Sequence, residues 1–557
     1  MKRRIATLLL IAVMAITTGC GANAETGGAV PPPTAQTQGG GPREGLDGTK
    51  FTETRHITVE VFDRANDGGS KPEDNFYTNY IQEGMLRDHN VEVTFVTVPR
   101  WTEIEELNNL LAAGTAPDIC LTYSYPTVQT YANMGAVIDL APYVDECKDI
   151  LPNLWDLLGE RNIYWDKDPK TGSIYAIEAL LASLARVNTF VREDWLKTLD
   201  IPEPTTLDEF HNMLTAFRDN AETLLGADAD KLVPFSISYD VGWRAETLIV
   251  SFVPDSITDK TRYIYGFDDR RLLYPNYKEG VKVLNEWYNE GLIWKDFALY
   301  GSGDTTEENM MKAGYIGAYS HNIDNAYRNG EDSIDANLKR NIGPEAGFIA
   351  VDPFPNDVGK YKKYVSPPID RKVFFPATNE EPVASLLYLD WISSYDNRIF
   401  LQYGEEGVTH ETQADGSFKT IAASGDKIMN SPNNIDYVMT LNGHKLKDQA
   451  LTFKTLAQGY AGVDSRYIEL AYEVALTDIV PGISVNVGVI EAENGIDTSL
   501  AKKRDTFLNQ SIVASTADFD RVYDEGMSDY LASGGQAIID ERAGKWSEFF
   551  GDAEMLP

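Results

Sequence analysis

The sequence predicts an α/β protein made of two lobes with a cleft between them. Two blocks of alternating strand-like and helix-like segments, one starting near His56 and the other after Gly172, show no internal repeat of each other. The first block has the order strand, helix, strand, helix, strand, which predicts a parallel sheet. Because ligands of such sheets bind beyond the carboxyl ends of the strands, we expect a binding site where those ends meet.

The strands of the first block are runs rich in β-branched residues, bounded by polar loops. They are residues 57–62, 91–96 and 118–123. Thr102 followed by Glu105 predicts a helix with a capping box, and Gly114 is placed to end that helix. The three strands are followed by the loops 63–66, 99–101 and 123–125. Residues of the cleft are expected in these loops.

The second block begins with a hairpin turn over residues 166–172 and a short strand over 174–177. Asp194 opens a short helix, and Thr206 with Glu209 predicts a second capping box. Residues 315–319 form a further strand by their apolar and aromatic content. These elements predict a second α/β unit.

Composition excludes some classes of function. The chain of 557 residues has 49 Lys and Arg against 85 Asp and Glu, a net charge of −36. Such a surface repels phosphate backbones, so nucleic acid is excluded as the main partner. An aromatic content of 11% also excludes disorder for most of the chain.

The N-terminus predicts export. Lys2, Arg3 and Arg4 precede an apolar run over residues 5–16, which is too short to span a bilayer and is typical of a secretory signal. Small residues then lead to Cys20, which resembles a bacterial lipoprotein signal. We therefore expect a signal peptide over 1–19, lipidation at Cys20 and a flexible Gly- and Pro-rich tether over 20–50. An ordinary signal peptide with an incidental cysteine is the alternative.

The mature body keeps two cysteines. Cys120 lies in an apolar run and is expected in the core. The sequence leaves undecided whether it forms a disulfide with Cys147.

No catalytic pattern stands out in the sequence. The six histidines are scattered, and neither a His-Glu-x-x-His nor a Gly-x-Ser-x-Gly motif occurs. A carboxylate pair at glycosidase distance stays open, because 85 acidic residues make chance pairs common.

Short segments spread in order along the chain carry a family resemblance. They are residues 114–119 (Gly-Thr-Ala-Pro-Asp-Ile), 172–177, 192–196, 204–210, 291–293, 404–408, 534–536 and 541–542. On these segments the chain resembles the extracellular solute-binding lipoproteins of carbohydrate ABC importers, of the large Gram-positive type. The resemblance implies a periplasmic-binding-protein-like fold with hinge strands. It places residues 51–180 and about 370–440 in lobe 1, and residues 181–369 and about 441–557 in lobe 2.

Some members of that family carry a calcium loop after the helix that ends here near Phe217. The corresponding segment, residues 219–230, has its alternation of ligands broken by Leu224 and Leu225. The turn over 166–172 has Lys170 where a calcium loop needs an oxygen ligand. We expect no cofactor, and calcium is kept as the alternative.

Sugars present apolar faces ringed by hydroxyls, so their sites combine aromatic rings with polar side chains. Residues of these types in the loops that should face the cleft or near the crossing between lobes are the candidate ligand contacts. They are Trp243, Arg244, Tyr319, His321, Asn322, Arg64, Asn66, Tyr123, Tyr125, Arg186 and Glu178. Trp243 packed beneath its own loop is the alternative for that residue.

These observations predict a monomeric binding protein, not an enzyme, held by its lipid anchor on the extracellular face of the cell membrane. It would capture an oligosaccharide by hinge closure and deliver it to the permease subunits. A secreted glycosidase and a binding protein for peptides or another solute are the alternatives. A polyanionic sugar would need a basic cluster, for which Arg64, Arg186 and Arg244 are the candidates; otherwise a neutral oligosaccharide is favoured.

Overall fold

A computed structural model describes most of the chain from residue 41 onward. The described residues are 41–64, 71–183, 187–301, 303–328, 330–356, 362–365, 367–421, 427, 431–460, 463–483, 485, 487–493 and 495–556. The predicted signal peptide, Cys20, Asn66 and Arg186 lie outside the described residues.

The strands are short, and most alternate with helices along the chain. They are β1 (Leu46–Asp47), β2 (Lys50–Phe51), β3 (Arg55–Asp63), β4 (Val91–Pro99), β5 (Cys120–Thr122), β6 (Ile177–Leu181), β7 (Val187–Arg192), β8 (Val233–Ser236), β9 (Ile316–Asn322), β10 (Phe348–Val351), β11 (Lys363–Tyr364), β12 (Ile369–Phe374), β13 (His410–Thr412), β14 (Phe418–Thr420), β15 (Leu441–Asn442) and β16 (Ile479–Val480).

The helices cover the sheets and form most of the C-terminal part of the described chain. They are α1 (Phe76–His89), α2 (Glu103–Ala113), α3 (Tyr125–Asn133), α4 (Ala141–Glu146), α5 (Pro152–Ile163), α6 (Glu193–Leu199), α7 (Leu207–Asp219), α8 (Ala221–Leu225), α9 (Val241–Arg244), α10 (Glu246–Val250), α11 (Asp259–Tyr265), α12 (Tyr277–Asn289), α13 (Thr306–Lys312), α14 (Ile334–Asn341), α15 (Pro382–Ser393), α16 (Tyr395–Tyr403), α17 (Ser431–Asp436), α18 (Gln449–Gln458), α19 (Ser465–Leu476), α20 (Asp497–Val513), α21 (Phe519–Tyr530) and α22 (Gln536–Phe550).

The described chain has two large apolar cores, which define its two lobes. The core of lobe 1 draws on residues 51–177 and 373–441. The core of lobe 2 draws on residues 190–354 and 457–546. No helix among the described residues is long and apolar enough to cross a membrane.

The sheet of lobe 1 is parallel where the sequence predicts it. β3 and β4 pair in parallel along their whole length, and a parallel bridge between Val59 and Ile119 brings the start of the third predicted strand beside β3. The returning strand β12 then pairs antiparallel with both β5 and β6, which makes the sheet mixed. As a result, the carboxyl ends of β3, β4, β5 and β6 all lie at one edge.

The sheet of lobe 2 has the order β10-β7-β9-β8. β8 and β9 are parallel, whereas β7 runs antiparallel to β9 and pairs Val187 with Asn322. The carboxyl ends of β8 and β9 therefore lie at the edge where β7 begins.

The crossing segments bring the two edges together. The chain passes from β6 of lobe 1 into β7 of lobe 2 within a few residues. Beside this crossing, the N–H of Leu181 donates to the carbonyl of Pro368, and that of Ala182 donates to the carbonyl of Asn442. Three passages between the lobes thus lie side by side, which is the arrangement of a hinge.

Several local expectations need correction. Thr102 makes no capping hydrogen bond and closes a 3₁₀ turn before α2 instead. Gly114 ends α2 with a φ of 68°, as predicted. Thr206 does cap α7, but the carboxylate of Glu209 accepts from Thr205. The strand expected over 174–177 begins only at Ile177 and extends to Leu181, so the turn before it does not join two strands.

The predicted tether also ends earlier than residue 50. β1 and β2 form a small antiparallel pair, and Arg43 donates to Asp149 at 3.1 Å. Both Cys120 and Cys147 are buried, and neither forms a disulfide.

Candidate ligand-binding cleft

The loop between β8 and α9 holds an unusual backbone conformation. Tyr239 and Asp240, both non-glycine residues, have φ values of 40°. This region of φ costs free energy for residues with a side chain, so the surrounding structure must hold it in place. Asp240 caps α9 through the N–H of Trp243, and its carboxylate is bound by Arg270 at 2.5 and 3.1 Å.

Arg244, predicted as a ligand contact, is instead a buried structural residue. Its guanidinium is fully buried and donates to both carboxylate oxygens of Glu307 at 2.8 and 2.9 Å. It also donates to the carbonyls of Ser238 and Ser320. Neighbouring residues of a helix point about 100° apart, so Arg244 faces the interior while Trp243 is partly exposed. Arg244 holds the loop in place from the interior, and its N–H groups are not available to the hydroxyls of a ligand in the cleft.

Trp243 stands over a small cluster of rings at the end of β9. The rings of Trp243 and His321 meet edge to face at 5.1 Å, and Tyr239 lies 6.0 Å from Trp243. The N–H of Asn322 donates to Nδ1 of His321 at 2.8 Å, so Nε2 carries the proton and donates to the hydroxyl of Tyr239 at 3.2 Å. Burial, together with the nearby Arg244 and Arg328, lowers the pKa of His321 to about 2. The cluster is therefore neutral at physiological pH.

Tyr319 does not point into the cleft as predicted. It is fully buried, where its ring stacks on Phe190 at 5.2 Å and meets Phe348 edge to face. Tyr319 and His321 share a face of β9, but Tyr319 lies within the core of lobe 2 and His321 lies beyond it, partly exposed. Asn322, at the end of the same strand, is partly exposed.

Lobe 1 contributes a cationic and aromatic edge. Arg64, at the end of β3, binds Asp436 through two hydrogen bonds of 2.6 and 3.0 Å. The guanidinium of Arg100 lies 3.9 Å from the ring centre of Tyr123 and 5.4 Å from that of Trp101. Trp101 is 73% exposed. It is a flat ring at a strand end that the sequence candidates missed, although the loop 99–101 was expected to face the cleft.

Tyr125 lines another, smaller cavity, whereas Glu178 is buried and is not among its described lining residues. The hydroxyl of Tyr125 donates to the carbonyl of Asp166 at 3.1 Å, and the ring lines a cavity of about 390 Å³. Glu178 is fully buried and lies 3.3 Å from the ammonium of Lys372. Burial and the neighbouring Glu178 raise the pKa of Asp166 well above its usual range. Glu178 is thus shielded from any ligand in this conformation, contrary to its prediction as a contact.

A large cavity lies at the hinge and is lined from both lobes. Its volume is about 920 Å³, which is within the range of sites for small ligands. Charged and aromatic residues contribute much of the lining: Arg64, Asp324, Arg328, Tyr403, Tyr460 and Tyr472. Of the sequence candidates that lie among the described residues, only Arg64 lines it.

Four residues of this lining carry buried polar atoms without a hydrogen-bond partner. The atoms are Oγ of Ser183, Oε1 of Gln402, Oη of Tyr403 and Nδ1 of His444. Gln402 and Tyr403 are only 4% and 8% exposed. Sequence reasoning missed all four. The only signal was the position of Gln402 and Tyr403 directly before the family-like segment 404–408.

The described residues contain no group of three or more His, Cys, Asp or Glu side chains placed to hold a metal ion. In the segment considered for calcium, Asp219 pairs with Arg218 and Asp228 pairs with Lys231.

Two α/β lobes, joined by adjacent crossings with a cavity at their junction, define the class of hinged ligand-binding proteins. The comparisons with known proteins agree. The model of the bacterial extracellular solute-binding protein family matches residues 83–397. The chain belongs to this family, which is one of binding proteins, so the glycosidase alternative has no support.

Two of the similar proteins are named as binding proteins for saccharides. The chain is 23% identical over 354 residues to the polygalacturonan/rhamnogalacturonan-binding protein YtcQ of Bacillus subtilis (strain 168), covering 59% of this chain and 63% of that protein. It is 29% identical over 216 residues to the fructooligosaccharide ABC transporter substrate-binding protein FusA of Streptococcus pneumoniae serotype 4, covering 35% and 39%. The match thus spans less than two thirds of the length of either relative.

Among solved structures, the chain is similar to an HMO-binding, ABC-transporter-associated solute-binding protein from Bifidobacterium longum infantis. The TM-score is 0.61 at 14% identity, covering 89% of this chain and 99% of that one. At this identity the likeness shows the fold, and the predicted two-lobed α/β fold is confirmed.

Proposed function

We propose that this chain is the extracellular substrate-binding component of an ABC importer and captures an oligosaccharide between its lobes. The observation that carries the proposal is the 920 Å³ cavity at the hinge, lined by residues of both lobes. Its tyrosines and amides match the mixed apolar and hydroxyl surface of a sugar. The names of the relatives, which bind polygalacturonan, rhamnogalacturonan and fructooligosaccharides, support the class of ligand.

Capture would proceed by hinge closure. A ligand bound to one lobe gains contacts with the other only when the lobes approach, so it shifts the population toward the closed form. Permease subunits would recognise that form. The radius of gyration from solution scattering should fall when ligand is added, and an unchanged radius at saturation would contradict closure.

A thermal-shift screen tests the class of ligand. The free energy of unfolding rises by about 2.7 kcal/mol when the ligand is present at 100 times its Kd. We expect at least one oligosaccharide of three to five units to raise the melting temperature, and peptides of similar mass to leave it unchanged. A rise with peptides and none with saccharides would favour the peptide-binding alternative.

The N-terminal anchor is a second part of the proposal. The signal-like segment ending before Cys20 supports export and lipidation, which would hold a monomeric protein on the outer face of the membrane. In cell fractionation, the wild type should follow the membrane and the Cys20→Ala variant should not. Equal partition of the two would argue against lipidation.

We further propose that ligand binding needs no metal. The broken alternation of ligands at Leu224 and Leu225 supports this. Affinity for the saccharide should be equal in EDTA and in calcium, whereas a calcium-dependent affinity would restore the calcium alternative.

A further inference from the structure

The unpartnered atoms of the large cavity share one chemical property, which is that they are neutral. A serine hydroxyl, a glutamine carbonyl and a tyrosine hydroxyl carry no charge, and burial raises the pKa of Tyr403. Burial also lowers the pKa of His444 to about 4, so this imidazole is uncharged at pH 7. Buried polar atoms without partners cost stability. A ligand rich in hydroxyls, which both donate and accept, would supply the missing partners.

The charged residues of the same lining already have partners within the protein. Among the described lining residues, the two guanidiniums are those of Arg64 and Arg328. Arg64 is bound in two places by Asp436, and Arg328 is bound by Asp324 at 2.5 Å. Asp324 also accepts from the hydroxyl of Tyr460 at 2.5 Å.

Asp436 is shared with a third guanidinium that does not line the cavity. Arg371 is fully buried and donates to Asp436 at 3.1 Å. Its Nη2 donates to the carbonyls of Val438 and Leu441, so peptide dipoles also solvate its charge, whereas its buried Nε has no partner among the described residues. A carboxylate entering the cavity would therefore lose its water without meeting an unpaired cation among the described lining residues, which is costly.

We propose that the large cavity selects uncharged oligosaccharides over uronic-acid oligosaccharides, and that Gln402, Tyr403 and His444 form its hydroxyl-binding subsite. This inference rests on the proposed function and names the charge class of its ligand. A site built to hydrogen-bond hydroxyls discriminates strongly, because its polar atoms stay unpaired with the wrong ligand.

Calorimetric titration of the chain with two sets of ligands tests the charge class. The neutral set is kestose, nystose and maltotetraose, and the acidic set is oligogalacturonates and oligoalginates of three to five units. We expect binding in the neutral set at least tenfold tighter than any in the acidic set. Tighter binding of a uronate would overturn the inference but leave the proposed function standing. Binding in neither set would overturn both.

Two matched variants test the subsite with the best ligand of that titration. Tyr403→Phe removes an unpartnered hydroxyl from the cavity lining. Tyr388→Phe removes another buried, unpartnered hydroxyl, which lies in α15 within the core of lobe 1. We expect Tyr403→Phe to weaken binding at least tenfold without lowering the melting temperature of the ligand-free protein, and Tyr388→Phe to leave affinity unchanged. Equal affinity for the two variants would overturn the assignment of the subsite.

Discussion

The ring cluster of lobe 2 and the part of the cavity lining in lobe 1 are held in opposite ways, and the cluster lies outside the described lining of the cavity. In lobe 2, the ring cluster of Tyr239, Trp243 and His321 is held by internal partners, including the buried pair of Arg244 and Glu307. In lobe 1, Gln402 and Tyr403 present polar atoms that have no partner in the protein. The ring cluster is supported by the protein itself, whereas the unpartnered atoms of Gln402 and Tyr403 gain hydrogen bonds only when a ligand binds. The ring cluster is therefore rigid without a ligand, whereas the cavity lining of lobe 1 keeps polar atoms available for one.

The largest expected effect comes from breaking the support of the ring cluster. Glu307→Ala would leave the guanidinium of Arg244 buried without its carboxylate. Such a change typically costs about 3–5 kcal/mol of stability. The measurement is urea unfolding of the variant and the wild type.

The neighbouring acid provides the control for that experiment. Glu308 pairs with Lys312 on the surface of the same helix, at 2.6 Å. Glu308→Ala should cost less than about 1 kcal/mol, as exposed pairs do. Equal losses for the two variants would contradict a special role for Glu307.

The next effect is on affinity. Trp243→Ala removes the largest ring of the cluster, which lies outside the described lining of the cavity and would contact the ligand only when the lobes close. Loss of an aromatic contact of this kind commonly weakens binding by at least 2 kcal/mol, or about thirtyfold. Trp243→Phe keeps a flat ring and should retain most of the affinity. Calorimetric titration measures both. An unchanged affinity in Trp243→Ala would mean that the Trp packs beneath its own loop without touching the ligand.

A smaller effect, on the preference for neutral over acidic ligands, follows from removing the carboxylate that pairs with Arg328. Asp324→Asn removes the carboxylate that neutralises Arg328, so a uronate would find a cation to pair with. We expect the ratio of uronate to neutral affinity to rise about tenfold, the range of a single charge-assisted contact. Asp415→Asn, which breaks the exposed pair with Lys454, is the control and should leave the ratio unchanged.

A separate effect is a pH dependence of stability that the two histidines produce together. An unfolded chain binds a proton at each histidine near pH 6.5. The folded protein does so only near pH 2 at His321 and near pH 4 at His444. Below pH 6.5 the unfolded state therefore holds more protons, and stability falls as the pH falls.

Each histidine contributes a slope of at most about 1.4 kcal/mol per pH unit in its window. His321→Gln should flatten the acid loss over the whole range below pH 6.5, and His444→Gln should flatten it only down to about pH 4. Urea unfolding between pH 7 and pH 3.5 measures the slopes. Parallel curves for wild type and variants would contradict the burial of both rings as neutral groups.

The architecture could be predicted from the sequence because it depends on local patterns. The alternation of strands and helices gave the parallel strands of lobe 1, and the helix ends at Gly114 and Gly291 lie at positive φ as glycine allows. The site was harder to predict. Trp243 and Arg244 look equivalent in sequence, but the partner of Arg244 is Glu307, which lies 63 residues away.

The part of the cavity lining that belongs to lobe 1 could not be predicted from the hydrophobic periodicity of the sequence. Gln402 and Tyr403 end a helix, and His444 follows β15, a strand of only two residues that pairs with β6. These residues meet Ser183 only because the chain returns to lobe 1 after completing most of lobe 2. Polar atoms become buried without a hydrogen-bond partner only in the folded protein, so no local sequence pattern predicts them.

We expect one intact oligosaccharide to bind in the large cavity between the two lobes. The direct measurement is a calorimetric titration with the best neutral oligosaccharide, followed by release of the ligand and determination of its mass. We predict one ligand per chain, recovered with its mass unchanged. Absence of binding by every saccharide, or recovery of shorter fragments, would contradict the account.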